Sequence, residues 1–192
     1  MVSMKTKKSL FEKIYDRDPA SRAVIIKTSI DHYTDIFNDL DPAPFKTRDI
    51  APDLRLYLED CSTDIPLKHD IVMQFDAPKS IKDNDKEKKV ISGLNTYFQF
   101  LMRTYKRDIS SAYKKSIVYI VTSLILLSFA FYLTSIIPED FLFVTLVEGL
   151  YIGGWVFLWE AMALFVFKNR EIKLKFRRYE RLYKASISFN YV

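Results

Sequence analysis

Ser116–Ile137 (SIVYIVTSLILLSFAFYLTSII) and Phe141–Phe167 (FLFVTLVEGLYIGGWVFLWEAMALFVF) decide the fold of this chain. The first run has no charged residue, and the second has only Glu148 and Glu160. At about 1.5 Å of rise per residue they reach roughly 33 and 40 Å, enough to cross a hydrocarbon core of about 30 Å. Lipid offers a backbone no hydrogen-bonding partners, so each run is expected to be a helix. The link Pro138-Glu139-Asp140 can only turn the chain straight back. The expectation is a membrane α-helical hairpin, with transmembrane helix 1 at 116–137, an external turn at 138–140 and transmembrane helix 2 at 141–167.

Charge placement orients it. Arg103, Lys106, Arg107, Lys114 and Lys115 precede the first run, and Lys168, Arg170, Lys173, Lys175, Arg177, Arg178, Arg181 and Lys184 follow the second. The link has two acids and no base. Lys- and Arg-rich flanks stay in the cytoplasm. The expected localisation is therefore the cytoplasmic (inner) membrane, multi-pass, with both termini cytoplasmic. Met1–Tyr15 has lysines but no apolar core behind them, so the hairpin itself is expected to carry the insertion signal.

The remainder of the 192 residues is dense in Lys, Arg, Asp and Glu, which brings the mean hydropathy of the whole chain to -0.04. About 140 residues lie outside the hairpin, enough for one modest core. Cys61 is the sole cysteine, which excludes an internal disulfide or a cysteine-built zinc cluster and agrees with a reducing compartment.

Ser9-Leu10-Phe11-Glu12 has capping-box spacing and opens a short helix through Tyr15. Ala23–Lys27 (AVIIK) and Asp70–Phe75 (DIVMQF) read as strands, and Ser29–Phe37 as a short helix between them. Pro52 suits a first helical position, and Leu54, Tyr57, Leu58 and Cys61 follow at amphipathic spacing. Ile65-Pro66 is a turn, and Lys79–Lys89 a polar loop leading into a helix. From Val90 the apolar positions step by three or four residues without a proline, predicting one helix of about 50 residues that enters the membrane. Lys168–Lys184 reads as a basic amphipathic helix and Ser186–Val192 (SISFNYV) as a third strand. The predicted fold class is thus a membrane hairpin with a small cytoplasmic α/β domain built from both chain ends. Its parts are an α/β domain at 1–89, an amphipathic stalk helix at 90–115, the hairpin, and a basic juxtamembrane helix with a strand at 168–192 that joins the domain.

Glu148 and Glu160 are the residues most suggestive of function, because a carboxylate in a bilayer is costly and has to meet protein, water or a partner. They could line an ion or proton path or bind a partner's basic group, be neutral acids that hold helices in register, or, if the span slides outward, leave Glu160 near the interface beside Lys168. On a helical wheel Glu160 shares a face with Gly149-x-x-x-Gly153, a close-approach motif, and Ser123 and Ala130 form a stripe of the first span able to receive it. Lys168, Arg170, Lys173, Lys175, Arg177 and Arg178 fit anionic lipid headgroups better than nucleic acid, given their place beneath a span. Asp31, Asp35 and Asp39 at i, i+4, i+8 are weak metal-ligand candidates, since Mg²⁺ sites use few protein carboxylates. No P-loop, Gly-rich fingerprint, zinc spacing or nucleophile triad appears, so no cofactor and no catalytic residue is expected.

These features imply a non-enzymatic binding and assembly protein. It is expected to self-associate as a homo-oligomer through the hairpin and to offer its cytoplasmic module to a protein partner or ligand. An oligomeric ion- or proton-conducting subunit using the two glutamates is the main alternative. A metal-dependent enzyme at the membrane surface, built on the three aspartates, is the second.

Overall fold

A computed structural model describes residues 11–44, 47–136 and 141–192. The capping-box residues Ser9 and Leu10 and the link Pro138–Asp140 lie outside the described residues. The chain divides into a sheet unit (Met1–Arg103 with Phe176–Val192) and a hairpin unit (Thr104–Lys175).

The sheet unit holds three parallel strands, β1 (Val24–Ser29), β2 (Ile71–Ala77) and β3 (Ser186–Tyr191), in the order β1-β2-β3. Val24 pairs with Ile71 and Val72 with Ser186, so the C-terminal strand completes the sheet beside β2. Parallel strands need long crossovers. α2 (Pro52–Asp64) lies in the chain between β1 and β2, and the whole hairpin lies between β2 and β3.

The alternation in β2 is strict: Ile71, Met73, Phe75 and Ala77 are buried, and Val72, Gln74 and Asp76 are half-buried. Also buried are Leu54, Leu58 and Cys61 of α2, Val90, Leu94 and Phe98 of α3 (Asn84–Ile136), and Leu182 of α5 (Asn169–Lys184). The spacing of Val90, Leu94 and Phe98, one helical turn apart each time, is why the start of α3 belongs to this core. The other face is mostly polar, with Ile25 and Val72 as its apolar members. There Asp76 Oδ1 accepts from Gln74 Nε2 and Asn190 Nδ2, each at 2.8 Å. A parallel sheet is usually covered on both faces; here polar side chains make covering by water acceptable.

α3 runs unbroken over Asn84–Ile136. α4 (Phe141–Ala163) passes through a π-helical turn, Leu164–Lys168, into α5 (Asn169–Lys184). Both α3 and the stretch Phe141–Lys184 contain a segment long and apolar enough to cross a membrane.

One expected element changes character. Ser29–Phe37 is not an α-helix: β1 continues to Ser29, which pairs with Asp76, and only Tyr33–Ile36 is helical, as a single 3-10 turn. The β-branched run Val24–Thr28 propagates the strand past the point where the aspartate spacing suggests a helix. α1 is short (Phe11–Ile14), and Lys79–Ile81 forms a 3-10 turn within the stretch expected to be loop.

Candidate functional site

Within the hairpin unit, α3 and α4 meet along small side chains at heptad spacing. Ser116, Ser123 and Ala130 of α3 are 2%, 0% and 0% exposed, and Val147, Gly154 and Ala161 of α4 are buried. A repeat of seven keeps one face of a helix against an antiparallel neighbour. At its centre Ser123 Oγ donates to Gly154 O at 2.7 Å. A Cβ added to Gly154 would lie 2.7 Å from Leu127 Cγ and Cδ2, so glycine is required there for the helices to approach. The rings of Tyr119 and Phe157, and of Tyr113 and Phe165, pack edge to face in the same antiparallel order.

The π turn has a consequence for this seam. Seven residues beyond Ala161 stands Lys168, and eight beyond stands Asn169. A π turn adds one residue to a helical turn. The extra residue turns Lys168 out, where it is exposed, and places Asn169 inside, at 2% exposure. The amide of Asn169 has no hydrogen-bond partner among the described residues.

The other expected hairpin residues fall elsewhere. The glycine that meets the first span is Gly154, one position beyond the expected Gly149/Gly153 pair. Gly149 is exposed and a Cβ there would find nothing within 4 Å; at Gly153 it would reach only Leu126 Cδ1, at 4.0 Å. Ser123 and Ala130 are indeed on the inner face of α3, but they face the stripe of Gly154. Glu148 and Glu160 are both exposed, away from the seam, on a surface otherwise built of Leu146, Ile152, Trp155, Val156 and Trp159.

The basic run divides between the units. Lys168, Arg170, Lys173 and Lys175 are exposed in the hairpin unit. Lys173 Nζ donates to Tyr113 OH at 2.7 Å and lies over that ring, and Lys175 pairs with Glu171 at 3.4 Å. Arg177 and Arg178 belong to the sheet unit, as does Arg181, which sequence reasoning passed over as one more base. Arg181 is 8% exposed. Its Nη1 donates to the carbonyls of Ile65, Pro66 and His69, and its Nη2 to the carbonyl and hydroxyl of Ser62 and to Ile65 O. These oxygens lie at and just beyond the C-terminal end of α2, where unsatisfied carbonyls carry partial negative charge. Burial lowers the pKa of Arg181, with Arg178 adding to the effect and Asp70 opposing it.

Asp31, Asp35 and Asp39 do not form a ridge. Asp35 Oδ2 accepts from the backbone N–H groups of Asp31 and His32, at 3.0 and 2.7 Å, and caps the 3-10 turn. Asp39 lies 3.8 Å from Arg48. No group of three or more His, Cys, Asp or Glu among the described residues could hold a metal ion.

The C-terminal ends of parallel strands are the usual ligand position in α/β sheets. Here that end is filled. Tyr191 OH donates to Glu87 Oε1 and lies 2.8 Å from Tyr33 OH, which accepts from the Asp83 N–H at 3.2 Å. Lys82 sits over the Tyr191 ring. The network ties β3 to the start of α3, and it raises the Tyr191 pKa, through burial first and then the bonds to Glu87 and Tyr33. Comparison with family models, curated proteins and solved structures found no match to this chain.

Proposed function

We propose that this chain is an integral membrane protein that binds and assembles rather than catalyses. In this reading the hairpin crosses the cytoplasmic membrane twice with both chain ends in the cytoplasm, copies associate through the outward face of α4, and the sheet unit serves a cytoplasmic partner or ligand. The observation that carries the reading is the outward surface of the hairpin. Large apolar side chains such as Phe131, Phe141, Trp159 and Phe167 are 72%, 80%, 72% and 73% exposed, which suits lipid and not water. Two carboxylates, Glu148 and Glu160, stand in that surface. A carboxylate does not face lipid without cost, so a second copy is the natural source of its hydrogen bonds. Gly149 and Gly153, unused by the seam, supply the close approach on the face that carries Glu160. The flanking bases Lys168, Arg170, Lys173 and Lys175 suit anionic headgroups.

Glu160→Gln against wild type, scored for oligomer size in nanodiscs and for proton or cation flux in liposomes, tests it. The binding and assembly reading expects an oligomer from both proteins and flux from neither. Flux from wild type that Glu160→Gln abolishes, with the oligomer intact, transfers the function to conduction. A monomeric wild type removes the self-association.

A further inference from the structure

The sheet unit has a cavity of about 510 Å³ at the opposite end of the strands, bounded by the start of each: Ala23 of the β1 approach, Ile71 of β2 and Ser186 of β3. That volume lies within the range of small-ligand sites, roughly 300–1,000 Å³. Its charged lining comes from Arg177, Glu180, Arg181 and Lys184 of α5, with Asp70 across from them. Arg177, Arg181 and Lys184 stand at i, i+4, i+7, so one face of α5 presents all three bases to one space.

The bases differ in how they are answered. Lys184 Nζ is paired with Glu180 Oε1 at 2.7 Å. Arg177 has no ion-pair or hydrogen-bond partner among the described residues. Arg181 is the unusual one. It is more than nine-tenths buried, its Nη hydrogen bonds all go to neutral oxygens, and its Nε is buried with no acceptor. Asp70 across the cavity offsets part of this charge, but no carboxylate bonds to it. A buried cation held mainly by dipoles is costly, and a bound anion beside it relieves the cost. Three bases against two acids leave a balance suited to a single phosphate, and Asp70 and Glu180 disfavour a polyphosphate. The same acids can accept from a hydroxyl or amine on the ligand.

We propose that this cavity binds a small molecule bearing one phosphate together with a hydroxyl or amine. Arg177 and Lys184 meet the phosphate, Arg181 supplies the fixed charge behind it, and Asp70 receives the ligand's donor group. The phosphate can belong to a soluble monoester or to a lipid headgroup. The site does not depend on the membrane assembly proposed above.

The test is calorimetric titration of the full chain, in a micelle free of phospholipid, with glycerol phosphate, inorganic phosphate and glycerol. Glycerol phosphate should bind more tightly than inorganic phosphate, and glycerol should not bind. Arg177→Glu should weaken glycerol phosphate by about tenfold or more, the scale of one charge-assisted contact. Arg177 is exposed, so the fold should survive, which hydrogen exchange of β2 amides checks. Absence of binding at about 10 mM glycerol phosphate, a limit of roughly 3 kcal/mol in affinity, overturns the proposal. So does binding that Arg177→Glu leaves unchanged. Competition by short-chain phosphatidylglycerol assigns the site to a headgroup, and its failure to compete assigns it to a soluble ester; either supports the site.

Discussion

Phe75 is 1% exposed and Phe131 is 72% exposed, although each sits within a regular element of the same chain. The contrast extends to whole units. In the sheet unit bulky apolar side chains (Phe37, Phe75, Phe98, Ile26, Leu58) point inward and most polar ones outward, Ser62 and Arg181 being exceptions. In the hairpin the inward positions are mostly small, among them Ser116, Ser123, Ala130, Gly154 and Ala161, and most of the bulk points outward. Water drives the first arrangement, because burying apolar area is what stabilises it. It does not account for the second. Where the solvent is itself apolar, helices gain by close backbone approach, and small residues permit that. One chain thus shows two packing patterns, the second being the one expected of helices in an apolar solvent, and the change falls within a single continuous helix, between Phe98 and Ser116 of α3.

Truncating one phenylalanine of each kind should give the largest difference between the two units. Phe75→Ala opens a cavity in a filled core and should destabilise the sheet unit by about 3–5 kcal/mol. Phe131→Ala removes a side chain that is mostly exposed and should stay within about 0.5 kcal/mol. Hydrogen exchange of the β2 and α3 amides reads both. Equal losses would mean that the outward face of α3 is buried in the native assembly.

The next largest effect separates the two glycine stripes of α4. Gly154→Leu drives a side chain into Leu127 and should destabilise the hairpin by about 2–3 kcal/mol, the scale of an overpacked core. Gly149→Leu meets nothing in the chain and should leave the hairpin intact while disrupting association between copies. Thermal unfolding and size in nanodiscs distinguish the two. A monomer destabilised by Gly149→Leu would reverse the assignment of faces.

That assignment also marks where the sequence stops being legible. The existence of the hairpin follows from two apolar runs, and the unbroken stalk from the absence of proline. The third strand follows from the alternation in Ser186–Val192. The seam was half readable: Ser123 and Ala130 announce themselves as small polar or small apolar residues among bulk, but α4 carries small residues on two faces, and only contact with Ser123 selects Gly154. The heptad Val147, Gly154, Ala161 was a usable signal that the Gly-x-x-x-Gly pattern obscured. The π turn was not readable, since no proline or glycine marks it in Leu164–Lys168. Arg181 was hidden by its neighbours. In a helix with so many bases, only the companion pattern of Tyr179 and Leu182, both buried, shows which face turns inward. The three aspartates misled because their spacing suits a helix, and β1 continues to Ser29 instead.

The sheet unit should also respond to alkali. Burial pushes the Tyr97 phenol up to about 12, and Tyr191 is raised as well. In the unfolded chain both ionise near pH 10. Above about pH 10 the unfolded state therefore gives up protons that the folded state keeps, so stability falls as pH rises. The unfolding midpoint of the sheet unit should decline between about pH 10 and 12, and Tyr97→Phe should flatten the decline. A midpoint independent of pH over that window would show that the phenols are solvated in the fold.

The smallest effects lie at two polar residues of the seam, Ser123 and Asn169, and they should have opposite signs. Ser123 Oγ donates to Gly154 O, an oxygen already positioned to accept within its own helix. Removing the hydroxyl leaves no buried donor behind, because the donor itself is what departs. Ser123→Ala should therefore destabilise the hairpin by only about 0.6 kcal/mol, the average for hydrogen bonds between membrane helices. Asn169 is buried with neither amide atom paired. An unsatisfied buried polar group costs about 1–3 kcal/mol, so Asn169→Leu should stabilise the hairpin by up to about 1 kcal/mol after the cost of fitting a different shape. Unfolding of the full chain in a graded denaturing detergent series, with exchange of α4 amides as the local probe, gives both signs in one experiment. Destabilisation by Asn169→Leu larger than that by Ser123→Ala would show that the amide has a partner in the native assembly, and would make the π turn a device for presenting it.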